Sequence, residues 1–211
     1  MLTFYHAPET RSGRTMWLME ESGLDFETRY VTIQHMDGRG SLDPANVHPD
    51  GKVPAIVHDG TIISESYAIA IYVSDLATES GLGAPAGSAE RGPFLAWLMW
   101  LATEMEPAIF TRLYGGGEGN PMAEKSYRQV VRRLELALAN GPYLMGHRFT
   151  AVDVMAGSTV AWARHVFPES AEIDAWLARI ADRPAHQRAC ENDAEKVAAW
   201  EPLILPPPGG A

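Results

Sequence analysis

GKVPAIVHDGTIISESYAIAIYV (residues 51–73) changes its hydrophobic rhythm twice. Val53–His58 and Thr61–Ser64 are β-prone runs. Between them stands Asp59-Gly60, the two-residue signal of a tight hairpin. From Glu65 to Leu76 the apolar residues recur at helical spacing. The stretch reads as strand, turn, strand, helix, with the antiparallel hairpin at the edge of a sheet.

Upstream the order is strand, helix, strand. Leu2–His6 (LTFYH) is a short β-type run. Arg14–Ser22 is helical and stops at Gly23, a C-terminal helix signal. Glu27–Ile33 alternates as a strand should. A β-α-β unit implies a parallel pair joined by a crossover helix. Downstream, residues 79–89 (ESGLGAPAGSA) have linker composition. No good strand follows. Glu90–Tyr114 is expected as one long helix, kinked or broken at Pro107. Residues 115–121 are a flexible break, and Met122–Asn140, Ala151–Val166 and Glu172–Asp182 are further helices. Thr150 and Asp153 have capping-box spacing, flanked by Phe149 and Val154 as a hydrophobic staple. The expected organisation is an α/β domain over 1–80, a linker over 81–88, an all-helical domain over 89–205 and a flexible tail over 206–211. There is no internal repeat.

Composition narrows the class. The chain has 211 residues, 46% hydrophobic and 21% charged, as in soluble globular proteins. No run approaches the ~18 apolar residues of a membrane span. MLTFYHAPETR lacks the basic start and apolar stretch of a signal peptide, so no membrane partner and a cytoplasmic location are expected. The lone Cys190 excludes an internal disulfide framework and a multi-cysteine metal site; it is expected to be a small buried apolar residue. Residues 1–80 hold 5 Lys/Arg against 12 Asp/Glu, and residues 81–211 hold 12 against 15. Neither half is basic, so nucleic acid is not expected as a partner. An anionic ligand needs a local positive pocket.

Three loops carry residues fit for chemistry. In HPDGKVP (residues 48–54) a proline opens a strand, where it favours a cis bond. Val53 before it can then pair, strand-like, with an extended peptide. At Ser64-Glu65-Ser66 a strand gives way to a helix whose free N–H groups attract anions. The Ser66 hydroxyl suits a carboxylate and Glu65 suits an ammonium, so together they suit a free amino-acid end. In PETRSGR (residues 8–14), Thr10 or Ser12 stands at a helix start, where a hydroxyl can donate to a thiolate. Arg11 and Arg14 add positive charge. Taken singly, each feature is also explained by a helix cap or a loop proline. Together they match one ligand type, an anionic thiol peptide.

Over about residues 2–195 the chain resembles a cytosolic glutathione S-transferase. GKVPAIVHDGTIISESYAIAIYV looks like the family's K-V-P, strand, turn, strand, E-S, helix pattern. YLMGHRFTAVDVMAG (residues 143–157) is similar to its L-x-G … T-x-x-D segment. The resemblance implies a thioredoxin-like α/β N-terminal domain and an all-α C-terminal bundle. It implies glutathione as co-substrate, no metal, a small apolar electrophile and a homodimer.

By position, the resemblance assigns the cysteinyl backbone of glutathione to Val53, with Pro54 in cis. Glu65 and Ser66 fall to the γ-glutamyl end, and Lys52 to the glycyl end with Gln34 or His35 as neighbours. Subfamilies activate the thiol with Tyr, Ser or Cys near the first strand–helix turn. Here Thr10 and Ser12 rank equal, Tyr5 third, and Arg11 is a charge-based alternative. A second-substrate wall of Trp100, Glu104, Met105 and Tyr114 is implied in the helical half, where ordinary core is the competing explanation. A free thiol has a pKa of about 8.5, so the activating group must favour the thiolate. Glutathione-dependent isomerisation, dehalogenation or disulfide reduction, and a non-catalytic binding or assembly role, are the alternatives on this fold.

Overall fold

The computed structural model describes residues 1–35, 38, 40–115, 117 and 119–199, with side chains to residue 197. The expected tail over 206–211 lies outside the described residues. The chain forms two compact units. One comprises Met1–Val73 together with the chain from Pro184 onward, and the other comprises Ser74–Arg183.

In the first unit, β1 (Leu2–His6), α1 (Gly13–Ser22) and β2 (Glu27–Tyr30) form the β-α-β unit. β3 (Ala55–His58) and β4 (Thr61–Ser64) form the hairpin, and α2 (Ser66–Leu76) follows. The sheet order is β2-β1-β3-β4. β1 and β2 are parallel, and the other two pairs are antiparallel. Gly23 closes α1 at φ 67°, and Asp59 and Gly60 turn the hairpin at φ 48° and 82°. A two-residue turn with positive φ at both positions matches the twist of its strands, hence Asp-Gly.

Side chains alternate across the sheet. Tyr5 and Ala55 face one side, where they cluster with Val31, Val47, Val53 and Val57. Leu2, Phe4 and His6 are buried on the other side of β1. α8 (Pro184–Ala199) returns to this unit and packs on α1. Glu20 of α1 accepts from Arg188 at 2.8 Å and from Asn192 at 3.3 Å, and the ring of Trp17 meets that of His186 edge-on. The all-helical domain expected over 89–205 includes this segment, but no individual helix is expected over 184–199. The segment is alanine-rich, and its inward stripe consists of the small residues Ala185 and Ala189.

The second unit contains α3 (Arg91–Trp100), α4 (Glu106–Leu113), α5 (Pro121–Leu138), α6 (Ala151–Trp162) and α7 (Ala171–Ala181). The expected single helix over 90–114 is instead α3 and α4 joined by a π-turn, Leu101–Met105. The Glu106 N–H bonds the carbonyl of Leu101, one residue further back than in an α-helix. This shift falls just before Pro107, in the first turn of α4, where the wider turn accommodates a residue that has no N–H and whose ring crowds a preceding carbonyl. The helix expected to run to Val166 ends at Trp162, and Arg164–Val166 is a 3₁₀ turn. The segment expected as a linker is anchored: Leu82 and Ala84 are buried, and the Leu82 carbonyl accepts from the Ala151 N–H at 2.8 Å.

α6 is buried along nearly its whole length. Its capping box is complete, with Thr150 accepting from Val152 N–H and Asp153 from Thr150 N–H. Asp153 also accepts from the Leu144 N–H at 2.9 Å and the Trp176 indole N–H at 3.0 Å. Burial outweighs these donors and pushes the Asp153 carboxyl up to about 6.

Asp153→Ala orphans several buried donors and is expected to cost about 3–5 kcal/mol, measured by urea unfolding. In the unsubstituted protein the folded state keeps a proton that the unfolded chain releases near its ordinary value of about 3.9. This contribution to stability is therefore full below pH about 3.9 and is lost as pH rises to about 6, a fall of about 2–3 kcal/mol. Asp153→Asn is expected to flatten that slope.

Candidate active site

Strand register brings the three loops to one place. Tyr5 pairs with Ala55, and Ala55 pairs with Ser64. The turn after β1, the entry to β3 and the exit of β4 therefore lie at the same end of the sheet. Gln34 and His35 follow the parallel strand β2 at that end and are exposed.

The Val53–Pro54 peptide bond is cis. Lys52 is exposed, with its ammonium 3.4 Å from Asp50, and its carbonyl accepts from the Asn46 side chain. At the β4–α2 junction Glu65 has φ 70°. That left-handed conformation is strained for a residue with a Cβ and recurs at ligand sites. The Glu65 carbonyl accepts the Ile69 N–H, so Glu65 caps α2 with its own side chain exposed. Ser66 is buried in the first turn of α2. Arg14 of α1 lies over the ring of Tyr67, linking the two helix starts.

The three candidates for thiol activation occupy different environments. Tyr5 is buried, and its hydroxyl accepts from Arg29 at 3.3 Å. Ser12 has no exposed surface. It stands at the N-terminus of α1 but does not cap it; the hydroxyl turns instead to the Nδ1 of His6, 2.6 Å away. Thr10 is half-buried, 2.7 Å from the Ala7 carbonyl and 2.8 Å from the Ser12 hydroxyl. Arg11 is exposed beside it.

Sequence reasoning missed His6 and Asp193. His6 ends β1 with no exposed surface, and its Nε2 lies 2.6 Å from an Asp193 carboxylate oxygen on α8. A polar residue closing an apolar strand was a visible sign for His6. A separation of 187 residues gave none for its partner.

Two expectations about the later part of the chain are corrected. Met105 is fully buried within the helical unit, so it is core rather than wall. In the same unit Trp100 is half-buried against Arg133, while Glu104 and Tyr114 are exposed. Cys190 is exposed rather than buried, because it falls outside the Ala185 and Ala189 stripe of α8. Partial burial first, then Asp193 and Glu191, push its thiol up, which disfavours a reactive thiolate. Among the described residues no group of three or more His, Cys, Asp or Glu is placed to hold a metal ion, and no helix is long and apolar enough to cross a membrane.

Comparison with known proteins identifies the family. The chain is 30% identical to a glutathione transferase from Methylococcus capsulatus str. Bath, over 92% of this chain and 100% of that one, with a TM-score of 0.74. The chain belongs to the glutathione S-transferase family. The family's N-terminal domain pattern matches residues 11–76 and its C-terminal domain pattern residues 99–200. Glutathione S-transferase GstA of Escherichia coli O157:H7 is 28% identical over 202 residues, which is 92% of this chain and 100% of the relative. A sphingomonad glutathione S-transferase, solved in complex with glutathione, is 27% identical over 91% of this chain and 98% of that one, with a TM-score of 0.74.

Strain at Glu65 is directly measurable. Glu65→Gly relieves the left-handed backbone and is expected to be more stable than Glu65→Ala by about 1 kcal/mol in denaturant unfolding. Equal stabilities would remove strain as a feature of this junction.

Proposed function

We propose that this chain is a glutathione S-transferase, ionising the glutathione thiol and adding it to a small, largely apolar electrophile. The observation that carries this reading is the row Tyr5–Ala55–Ser64, which gathers three ligand-type loops at one end of the sheet. The Val53 main chain pairs with the cysteinyl backbone. Glu65 takes the γ-glutamyl ammonium, and Ser66, with the positive end of α2, takes its carboxylate. Lys52, with Gln34 or His35, faces the glycyl carboxylate, and Arg11 adds positive field in an acidic protein.

Thr10 is the group that meets the sulfur. It is half-buried, whereas Ser12 is sealed beneath it and Tyr5 is engaged with Arg29. A hydroxyl donor at a helix N-terminus lowers a bound thiol's pKa, each unit being worth about 1.4 kcal/mol. The thiolate attacks the electrophile, the new carbon–sulfur bond forms, and the leaving group or added proton balances the charge. The working protein is read as cytoplasmic from its composition and as a homodimer from the resemblance.

Calorimetric titration of glutathione tests the site. Binding in the micromolar-to-millimolar range is expected, weakened about 10–100-fold by Glu65→Ala. Thr10→Val is expected to keep the affinity and lower turnover of an aryl halide about 10–100-fold. No heat at millimolar glutathione would overturn the reading in favour of a binding or assembly module.

A further inference from the structure

The first unit contains a continuous chain of hydrogen bonds of which the activation step above uses only the first member, Thr10. Thr10 Oγ1 lies 2.8 Å from Ser12 Oγ, which lies 2.6 Å from His6 Nδ1, and His6 Nε2 lies 2.6 Å from Asp193 Oδ1. His6 and Ser12 are fully buried, while the Asp193 side chain is 20% exposed. All four residues belong to the same compact unit. The two hydroxyls share the Ala7 carbonyl as an alternative acceptor, at 2.7 Å from Thr10 and 3.1 Å from Ser12. Each hydroxyl has one proton and a choice of direction.

The direction depends on His6. With a neutral imidazole, Nε2–H donates to Asp193, so Nδ1 must accept, and the Ser12 hydroxyl donates to it. With an imidazolium, Nδ1–H donates to Ser12, whose own proton turns toward Thr10. Thr10 Oγ1 then accepts from the Ser12 hydroxyl and from the Ser12 N–H, 3.2 Å away. Its proton is left to point out of the chain, and donors polarised in series are strengthened.

We infer that His6, held by Asp193, is a positioning residue that receives the glutathione thiol proton through Ser12 and Thr10; this rests on the transferase reading above. Thr10 takes the proton from sulfur and passes its own to Ser12, which passes its own to Nδ1. One S–H bond breaks and one N–H bond forms. The resulting thiolate faces the Thr10 hydroxyl, and the imidazolium faces the Asp193 carboxylate. The charge is thereby separated from the thiolate by two hydroxyls instead of being released to solvent.

Among the described residues, the titratable group that faces His6 from β2 is Tyr30. The Tyr30 ring on β2 is 5.6 Å away, with the Lys196 ammonium 5.0 Å from its centre and Glu195 nearby on α8. Arg14 lies in the first turn of α1, over Tyr67. Burial first, then Asp193 and Glu195, push the Tyr30 phenol up, so it stays neutral and does not compete as a base.

The test follows the ultraviolet absorbance of the bound glutathione thiolate against pH, with affinity measured calorimetrically on the same samples. Asp193→Asn keeps a hydrogen-bond acceptor but removes the charge. It is expected to move the thiolate titration up by about one pH unit, or about tenfold less thiolate at a fixed low pH, with affinity retained. His6→Gln still accepts from Ser12 but cannot take a proton, and is expected to shift the titration at least as far. Asp193→Glu is expected to return it toward the starting curve. If His6→Gln does not fold, the two Asp193 variants decide. A folded Asp193→Asn protein that binds glutathione with an unmoved titration overturns this inference alone. Failure of the unsubstituted protein to bind glutathione overturns the transferase reading and this inference together.

Discussion

An imidazole sealed from water needs a partner for each nitrogen, and the first unit is arranged around that requirement. His6 lies at the last position of β1 with no exposed surface. One nitrogen is met locally by Ser12, six residues on, which draws the β1–α1 turn tight and diverts a hydroxyl that would otherwise cap α1. The other is met by Asp193, which arrives only after the chain has built a second unit and returned. Replacing Asp193 by an apolar residue would leave a buried N–H without an acceptor. The last helix is therefore part of the site-bearing unit, although it lies in the chain's C-terminal half.

The helical unit has a parallel device. Asp153 is as buried as His6 and collects donors from Thr150, Leu144 and Trp176. There the polar node begins a helix that is buried along most of its length and joins it to α7 through the indole. In both units a single buried polar side chain ties together segments far apart in the sequence. The difference lies in the neighbours. Asp153 is enclosed by donors that already have their partner, whereas His6 connects through the Ser12 hydroxyl to the half-buried Thr10 at the sheet end.

The sheet explains why the loops at that end lie together. β1 and β2 run parallel, so the loops that leave them emerge together, and the antiparallel pairing of β3 with both neighbours brings its entry to the same edge. Glu65 then takes a backbone conformation that a residue with a side chain avoids, which places its carboxylate outside the helix it caps.

Much of this was legible in the residues. Asp59-Gly60 announced the hairpin, Gly23 the end of α1, and Thr150 with Asp153 the start of α6, because turns and caps depend on residues a few positions apart. Pro107 signalled a disturbance but not its form: the chain passes through a π-turn and continues into α4 without leaving helical dihedrals. α8 left no periodic stripe of large apolar residues, since it packs through alanines. The Thr10, Ser12 and Tyr5 alternatives could not be separated along the chain, for exposure and hydroxyl direction are properties of the assembled unit. Local chemistry determined the elements and the kind of ligand. Tertiary structure alone decided which hydroxyl is reachable and which carboxylate stands behind it, because a hydrogen bond between residues 6 and 193 exists only after everything between them has folded.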